Sequence, residues 1–235
     1  MKRQLTQLLA FALLLLMLAP CAAAEDAVWH EPYLCGFPDG TLRPDEPLTR
    51  AQLAQVLYRM VEEETRAELD TRCTCFSDVP PNAWSYRAVT AVTELELLYG
   101  YADGTFRPDE PVSGSALALV LTRVESTQAA CAALPELAAG WQAQEISFSA
   151  GNGWVMDFDG TYFSPDAPLT RAAFAQIMNR VLGRAPQTLE RLMVGMPIWR
   201  DNADSTAWYF VDMQEAAVGH MAESAGNCEK WTALG

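Results

Sequence analysis

One phrase occurs three times in this chain: an Asp-Gly turn, two prolines, then an amphipathic helix. It reads GFPDGTLRPDEPLTRAQLAQVLYRM at 36–60, GYADGTFRPDEPVSGSALALVLTRV at 100–124 and FDGTYFSPDAPLTRAAFAQIMNRV at 158–181. A period of about 60 residues marks repeated supersecondary units that bury their apolar faces against one another. The turns are Asp39-Gly40, Asp103-Gly104 and Asp159-Gly160, where Asp tolerates unusual backbone angles and Gly supplies a positive φ. The following prolines, Pro44 and Pro47 in the first copy, exclude helix and favour an extended stretch.

A hydroxyl residue then opens each helix: Thr49, Ser113 and Thr170. Each is a predicted N-cap, and only the first copy completes a capping box, with Gln52. The apolar stripes coincide. Leu53, Val56, Leu57 and Met60 fall at i, i+3, i+4 and i+7, as do Leu117, Val120, Leu121 and Val124, and Phe174, Ile177, Met178 and Val181. Core packing accounts for these stripes.

A second kind of half-unit alternates with the first. FSDVPPNAWSYRAVTAVTELELL at 76–98 and WRDNADSTAWYFVDMQEAAVGH at 199–220 align Phe76 with Trp199, Asp78 with Asp201 and Trp84 with Trp208. A third version, expected at about 127–150, is eroded by Pro135, Gly140 and Gly151 and keeps only a short predicted helix around Leu134–Gln144. No such half-unit precedes residue 36. The expectation is that 199–220 supplies it, setting the Trp208 helix beside the Leu53 helix and closing the structure by circular permutation.

The run Phe76-x-Asp78-Val79, Trp84, Ala88-Val89, Gly100-Tyr101-x-Asp103-Gly104-Thr105-Phe106-x-Pro108, with Thr49-Arg50-Ala51 and Thr170-Arg171-Ala172, resembles the S-layer homology domain. The resemblance covers most of 33–220. It implies a mainly α fold, a pseudo-threefold bundle of three helix–loop–helix repeats closed by the permutation. It implies the units 1–24 (leader), 25–75 (second half of repeat 1), 76–126 (repeat 2), 127–197 (repeat 3, degenerate at its start) and 198–235 (C-terminal half-repeat and tail). It also implies a function. Such domains hold proteins on the bacterial cell wall by binding secondary wall polysaccharide, often pyruvylated, in grooves between repeats.

The arginine of the Thr-Arg-Ala motif is the principal contact that the resemblance implies, so Arg50 and Arg171 lead the candidates. A guanidinium pairs bidentately with a carboxylate, and a helix N-terminus adds positive potential. Trp84 and Trp208 offer flat apolar faces to a sugar ring and read equally well as core anchors. Asp39, Asp103 and Asp159 are further candidates, read first as turn-formers. Arg59, Arg123 and Arg180 recur in register and read as solvated or salt-bridged positions. The middle copy has Gly114 in place of the arginine, so at most two sites are expected to be competent.

Met1-Lys2-Arg3, an apolar run through Leu18 and Ala22-Ala23-Ala24 read as a secretory leader cleaved after Ala24. A lipidated Cys21 is the rival, disfavoured by Pro20. The chain holds 16 Lys+Arg and 30 Asp+Glu. Loss of Lys2 and Arg3 with the leader leaves 14 bases against 30 acids, a net of −16. That field argues against nucleic acid and anionic membranes, and predicts that moderate salt strengthens binding to an acidic glycan. No cofactor is implied. The only histidines are His30 and His220, and no Cys-x-x-Cys occurs, so no metal spacing is legible. Five cysteines follow the leader, and a Cys35–Cys228 pair would suit closure.

No phosphate-loop, nucleophile-elbow or metal-hydrolase motif appears, which sets an enzyme aside. The leading expectation is a non-catalytic, cell-surface module anchored to wall polysaccharide. Its alternative is a structural or protein–protein envelope module that keeps the fold and has lost glycan binding. Little sequence lies outside the repeats, so the expected partners are the wall polysaccharide and either another envelope protein or the envelope itself.

Overall fold

The computed structural model describes residues 27–137, 155–156, 162–163, 166–184, 188–224 and 229–235. The leader, Cys21, Asp159 and Cys228 lie outside the described residues, as does most of the eroded half-unit. The chain is mainly helical. The three repeated helices are α1 (Arg50–Met60), α4 (Gly114–Ser126) and α6 (Arg171–Val181). Each is capped as its sequence predicts. Thr49, Ser113 and Thr170 accept from the amides of Gln52, Ala116 and Ala173, and the capping box with Gln52 is complete in α1. The stripes point inward: Leu53, Leu57, Leu117, Leu121, Phe174 and Met178 are all buried in one continuous core.

Between these helices lie α2 (Glu63–Leu69), α3 (Tyr86–Glu94) and α5 (Gln128–Ala133), and α7 (Phe210–Ala217) follows α6. The acidic run Glu62-Glu63-Glu64 forms the start of α2. Glu63 and Glu64 occupy its first turn, where carboxylates suit the helix dipole. Strands β2 (Val155–Met156) and β3 (Tyr162–Phe163) pair antiparallel. Three further strands are absent from the sequence reading. β1 (Val28–His30), β4 (His220–Ser224) and β5 (Glu229–Leu234) form an antiparallel sheet in the order β1-β4-β5, joining the first described residues to the last.

The three copies meet in a cycle of backbone hydrogen bonds. Leu48 N–H donates to Leu169, Leu169 N–H to Val112, and Val112 N–H to Leu48, each at 2.8 Å. These are the residues between the second proline and the N-cap, so the extended segment enforced by proline is what leaves its amides free to pair.

The half-units hold the loops that the repeated phrase makes. Asp78 accepts from the amides of Phe106 and Arg107 at 2.8 and 2.7 Å. Asp201 accepts from Leu42 and Arg43 at 2.8 and 2.7 Å. Arg43 and Arg107 sit at φ of 54° and 57°, and a carboxylate binding two successive amides holds that left-handed turn. Residues 199–220 therefore engage the loop of the first copy.

The helices pair differently from the expectation. α7 packs on α6 of the third copy rather than beside α1. The intact second copy explains this, because its own half-unit helix, α3, packs on α1 of the preceding copy. Both described half-units span two copies, with the turn on one and the helix on the other.

Gly100 is where the loop passes closest to its half-unit. A Cβ there would run into the edge of the Phe76 ring and lie 2.8 Å from the Thr105 carbonyl oxygen. Gly100→Ala should therefore cost about 2–3 kcal/mol in a denaturant titration. A loss below about 0.5 kcal/mol would show that this contact relaxes freely.

Candidate functional site

The first-turn amides that sequence reading offered to an anion are already occupied. Arg50 and Ala51 donate to the carbonyls of Glu110 and Pro108, and Arg171 and Ala172 to those of Glu46 and Pro44, all at 2.9 Å. The N-cap hydroxyls take the next amides. Two of the three helix N-termini are thus closed by the neighbouring copy's proline loop.

The arginine side chains continue the same contact. Arg50 Nε donates to Phe106 O at 2.9 Å and Nη2 to Tyr99 O at 2.7 Å. Arg171 Nε donates to Leu42 O at 2.7 Å and Nη2 to Cys35 O at 2.8 Å. Each guanidinium also lies over aromatic rings of that loop, Arg50 above Phe106 and Arg171 above Phe37. The two are equivalent: the helix of one copy grips the loop of the next. Arg171 is only 2% exposed, and burial pulls its pKa down to about 10, still charged at neutral pH. Gly114 leaves the middle helix without this grip.

The tryptophans are not core anchors. Trp84 and Trp208 are 66% and 60% exposed. Each precedes its helix, α3 and α7 starting two residues later, so neither ring joins the inward stripe. Trp208 packs edge-on against Tyr209, with ring centroids 5.5 Å apart. Trp84 stands between two clefts. The larger, about 640 Å³, is walled by Phe37 and Pro38 of the first loop, by Gln52, Gln55 and Arg59 of α1, and by Trp84, with Arg171 and Asp109 also lining it. The smaller, about 310 Å³, runs from Trp84 to Arg72, Arg87 and Asp70.

The larger groove gathers two cations, Arg59 and Arg171, against one acid, Asp109, in a chain whose formal net charge is −14. Arg171 lines the groove while its Nε and Nη2 stay committed to Leu42 O and Cys35 O.

Asp39 and Asp103 are turn-formers in the structure. Each Oδ1 accepts from the amide and hydroxyl of Thr41 or Thr105, and each Oδ2 meets Arg43 or Arg107. These threonine and arginine contacts hold both carboxyls down at about 2. Arg123 is half-buried, donating to Leu97 O at 2.9 Å and covering the Tyr99 ring. Gln55 of the groove escaped the sequence reading. Arg59 is exposed, as its solvated reading expects, and it lines the groove wall as well. Cys35, Cys73, Cys75 and Cys131 are free thiols, and the expected Cys35–Cys228 pair involves a residue outside the described ones.

The sequence model of the S-layer homology domain matches residues 33–54, 76–118 and 137–175. Three regions of the chain therefore match S-layer homology repeats. It is 25% identical over 198 residues to a cellulosome-anchoring protein of Acetivibrio thermocellus, covering 81% of this chain and 43% of the relative. It is 24% identical over 218 residues to cell surface glycoprotein 1 of the same organism, covering 87% of this chain and 9% of the relative. It is 24% identical over 161 residues to the surface-layer 125 kDa protein of Lysinibacillus sphaericus, 65% of this chain and 13% of the relative. The chain thus spans less than half the length of these relatives. No helix among the described residues is long and apolar enough to cross a membrane.

Proposed function

We propose that this chain is a non-catalytic cell-surface module that anchors to an acidic cell-wall polysaccharide, of the pyruvylated class, in the groove below Trp84. One observation carries this reading: an exposed indole face shares a groove with Arg59 and Arg171 in an otherwise acidic protein. An indole covers the apolar face of a sugar ring, and a guanidinium edge takes the ketal carboxylate. Relatives named for cellulosome anchoring and for the surface layer agree with it.

The proposal includes export through the 1–24 leader and closure of three repeats into a pseudo-threefold bundle, with 198–235 completing the first. The cycle through Leu48, Val112 and Leu169, and the matching grips of Asp78 and Asp201, support closure.

The test is retention of the full chain on purified secondary wall polysaccharide. Trp84→Ala and Arg59→Ala should each weaken retention by roughly tenfold, the scale of one stacking or cation contact, without loss of fold. Mild-acid removal of pyruvate should abolish it, and moderate salt should strengthen it. Retention untouched by Trp84→Ala would sink the groove assignment.

The second reading, an envelope module that has lost glycan binding, is favoured by the spent donors of Arg50 and Arg171 and by Gly114. No retention on any wall polymer, together with capture of a defined envelope protein, would select it.

A further inference from the structure

The two histidines of the chain, 190 positions apart by number (220 − 30), face each other directly across the β1–β4 ladder. Glu215, in the last turn of α7, comes up between them. All three are more than nine-tenths buried. His30 Nδ1 lies 3.4 Å from Glu215 Oε1, and His220 Nε2 lies 3.2 Å from the same oxygen. His30 Nδ1, Glu215 Oε1 and His220 Nε2 all lack a hydrogen-bond partner. Three buried polar atoms thus converge within 4.8 Å of one another, with only each other for partners and no well-formed hydrogen bond among them.

We propose that His30, Glu215 and His220 form a divalent transition-metal site, with Zn²⁺ the best-matched ion. Two imidazoles and one carboxylate are a zinc donor set. Ligand atoms about 2.0–2.1 Å from a tetrahedral zinc stand about 3.3 Å from one another, close to the 3.2 and 3.4 Å spacings here.

Each ligand is also oriented from behind, as metal ligands require. His220 Nδ1 lies 2.8 Å from Val218 O, an atom that only accepts, so Nδ1 carries the proton and Nε2 keeps its lone pair. Trp231 Nε1 donates to Glu215 Oε2 at 2.7 Å, turning Oε1 inward. His30 Nε2 faces Glu229 Oε1 at 3.5 Å, which sets the second ring nitrogen of His30 against a carboxyl group. Trp231 stacks on the His220 ring with centroids 3.9 Å apart, fixing its plane.

The site gathers β1, α7, β4 and β5 around one ion. It would tie the strand before the first repeat to the hairpin after the last. Its role is that of a clasp on the closed structure, separate from the groove and independent of whether the groove binds glycan.

The test uses the full chain stripped with chelator. Titration with Co²⁺ should show one equivalent bound, with the strong visible bands of low coordination and no thiolate charge-transfer band. Zn²⁺ should displace Co²⁺ and, at a hundredfold excess over its Kd, raise the melting midpoint by roughly 5 °C or more. His30→Gln combined with Glu215→Gln should abolish the bands, and Glu229→Gln should weaken binding by about tenfold. Cys73→Ser with Cys75→Ser should leave binding intact. No bound metal in the wild-type chain would overturn the site. So would binding that survives loss of His30 and Glu215, or binding lost with the two cysteines.

Discussion

Replacing Arg171 by Ala should cost the folded state about 3–5 kcal/mol, and replacing Arg50 by Ala roughly half as much. Both side chains make two charge-assisted hydrogen bonds to carbonyls of the next copy's loop. Such bonds are worth about 1.5–3 kcal/mol each, and a buried carbonyl left without a donor bears its desolvation cost. The difference between the two lies in surroundings. Arg171 is buried with the Leu42 carbonyl, while Arg50 is half-exposed and water replaces part of what it loses. Lysine should recover little at position 171, because one ammonium cannot span Leu42 O and Cys35 O as the fork does. Guanidinium titrations of the four proteins decide this. A loss under about 1 kcal/mol for Arg171→Ala would mean that the arginine is held for a ligand rather than for the fold. Loss of glycan retention in Arg171→Ala therefore carries meaning only when read beside its stability.

Those partners explain what was legible in the sequence and what was not. Capping hydroxyls, apolar stripes and Asp-Gly turns act within a few residues, so their roles were readable from spacing alone. The carbonyls that occupy Arg50 and Arg171 lie 56 and 129 residues away, and no local pattern encodes them. A helix N-terminus with an arginine reads as an anion site until the neighbouring loop is seen to fill it. Trp84 and Trp208 read as core anchors as readily as sugar platforms, because spacing alone does not say which way a residue just ahead of a helix faces. A helix start two residues later leaves both rings outside. β1 was invisible for another reason. Three residues carry no periodicity, and their partner strand lies at the opposite end of the chain. The two histidines therefore looked like isolated residues, and only pairing across that ladder makes them neighbours.

Removing residues 199–235 should abolish cooperative unfolding altogether, although this segment lies beyond the three repeated phrases. α7 buries Phe210, Met213 and Ala216, and Trp231 of β5 is buried beneath the sheet. Losing such side chains costs about 2–5 kcal/mol each, and their sum exceeds the stability of an ordinary domain. The truncation also strands Asn179 of α6, whose amide donates to the Asp212 backbone at 3.0 Å in the core. A gentler pair of variants separates closure from mere loss of mass. Asp201→Ala and Asp78→Ala each remove a carboxylate that binds two loop amides at the same distances, 2.8 and 2.7 Å. If the C-terminal half-unit serves the first copy as the internal one serves the second, both should cost alike, about 2–4 kcal/mol. A large loss for Asp78→Ala beside a loss under about 1 kcal/mol for Asp201→Ala would show that the first loop stands without its distant partner. The protein would then be a row of repeats with an appended tail. Equal losses would make residues 199–220 as necessary to the first copy as its own turn, and would place the seam of the closed structure between its two ends.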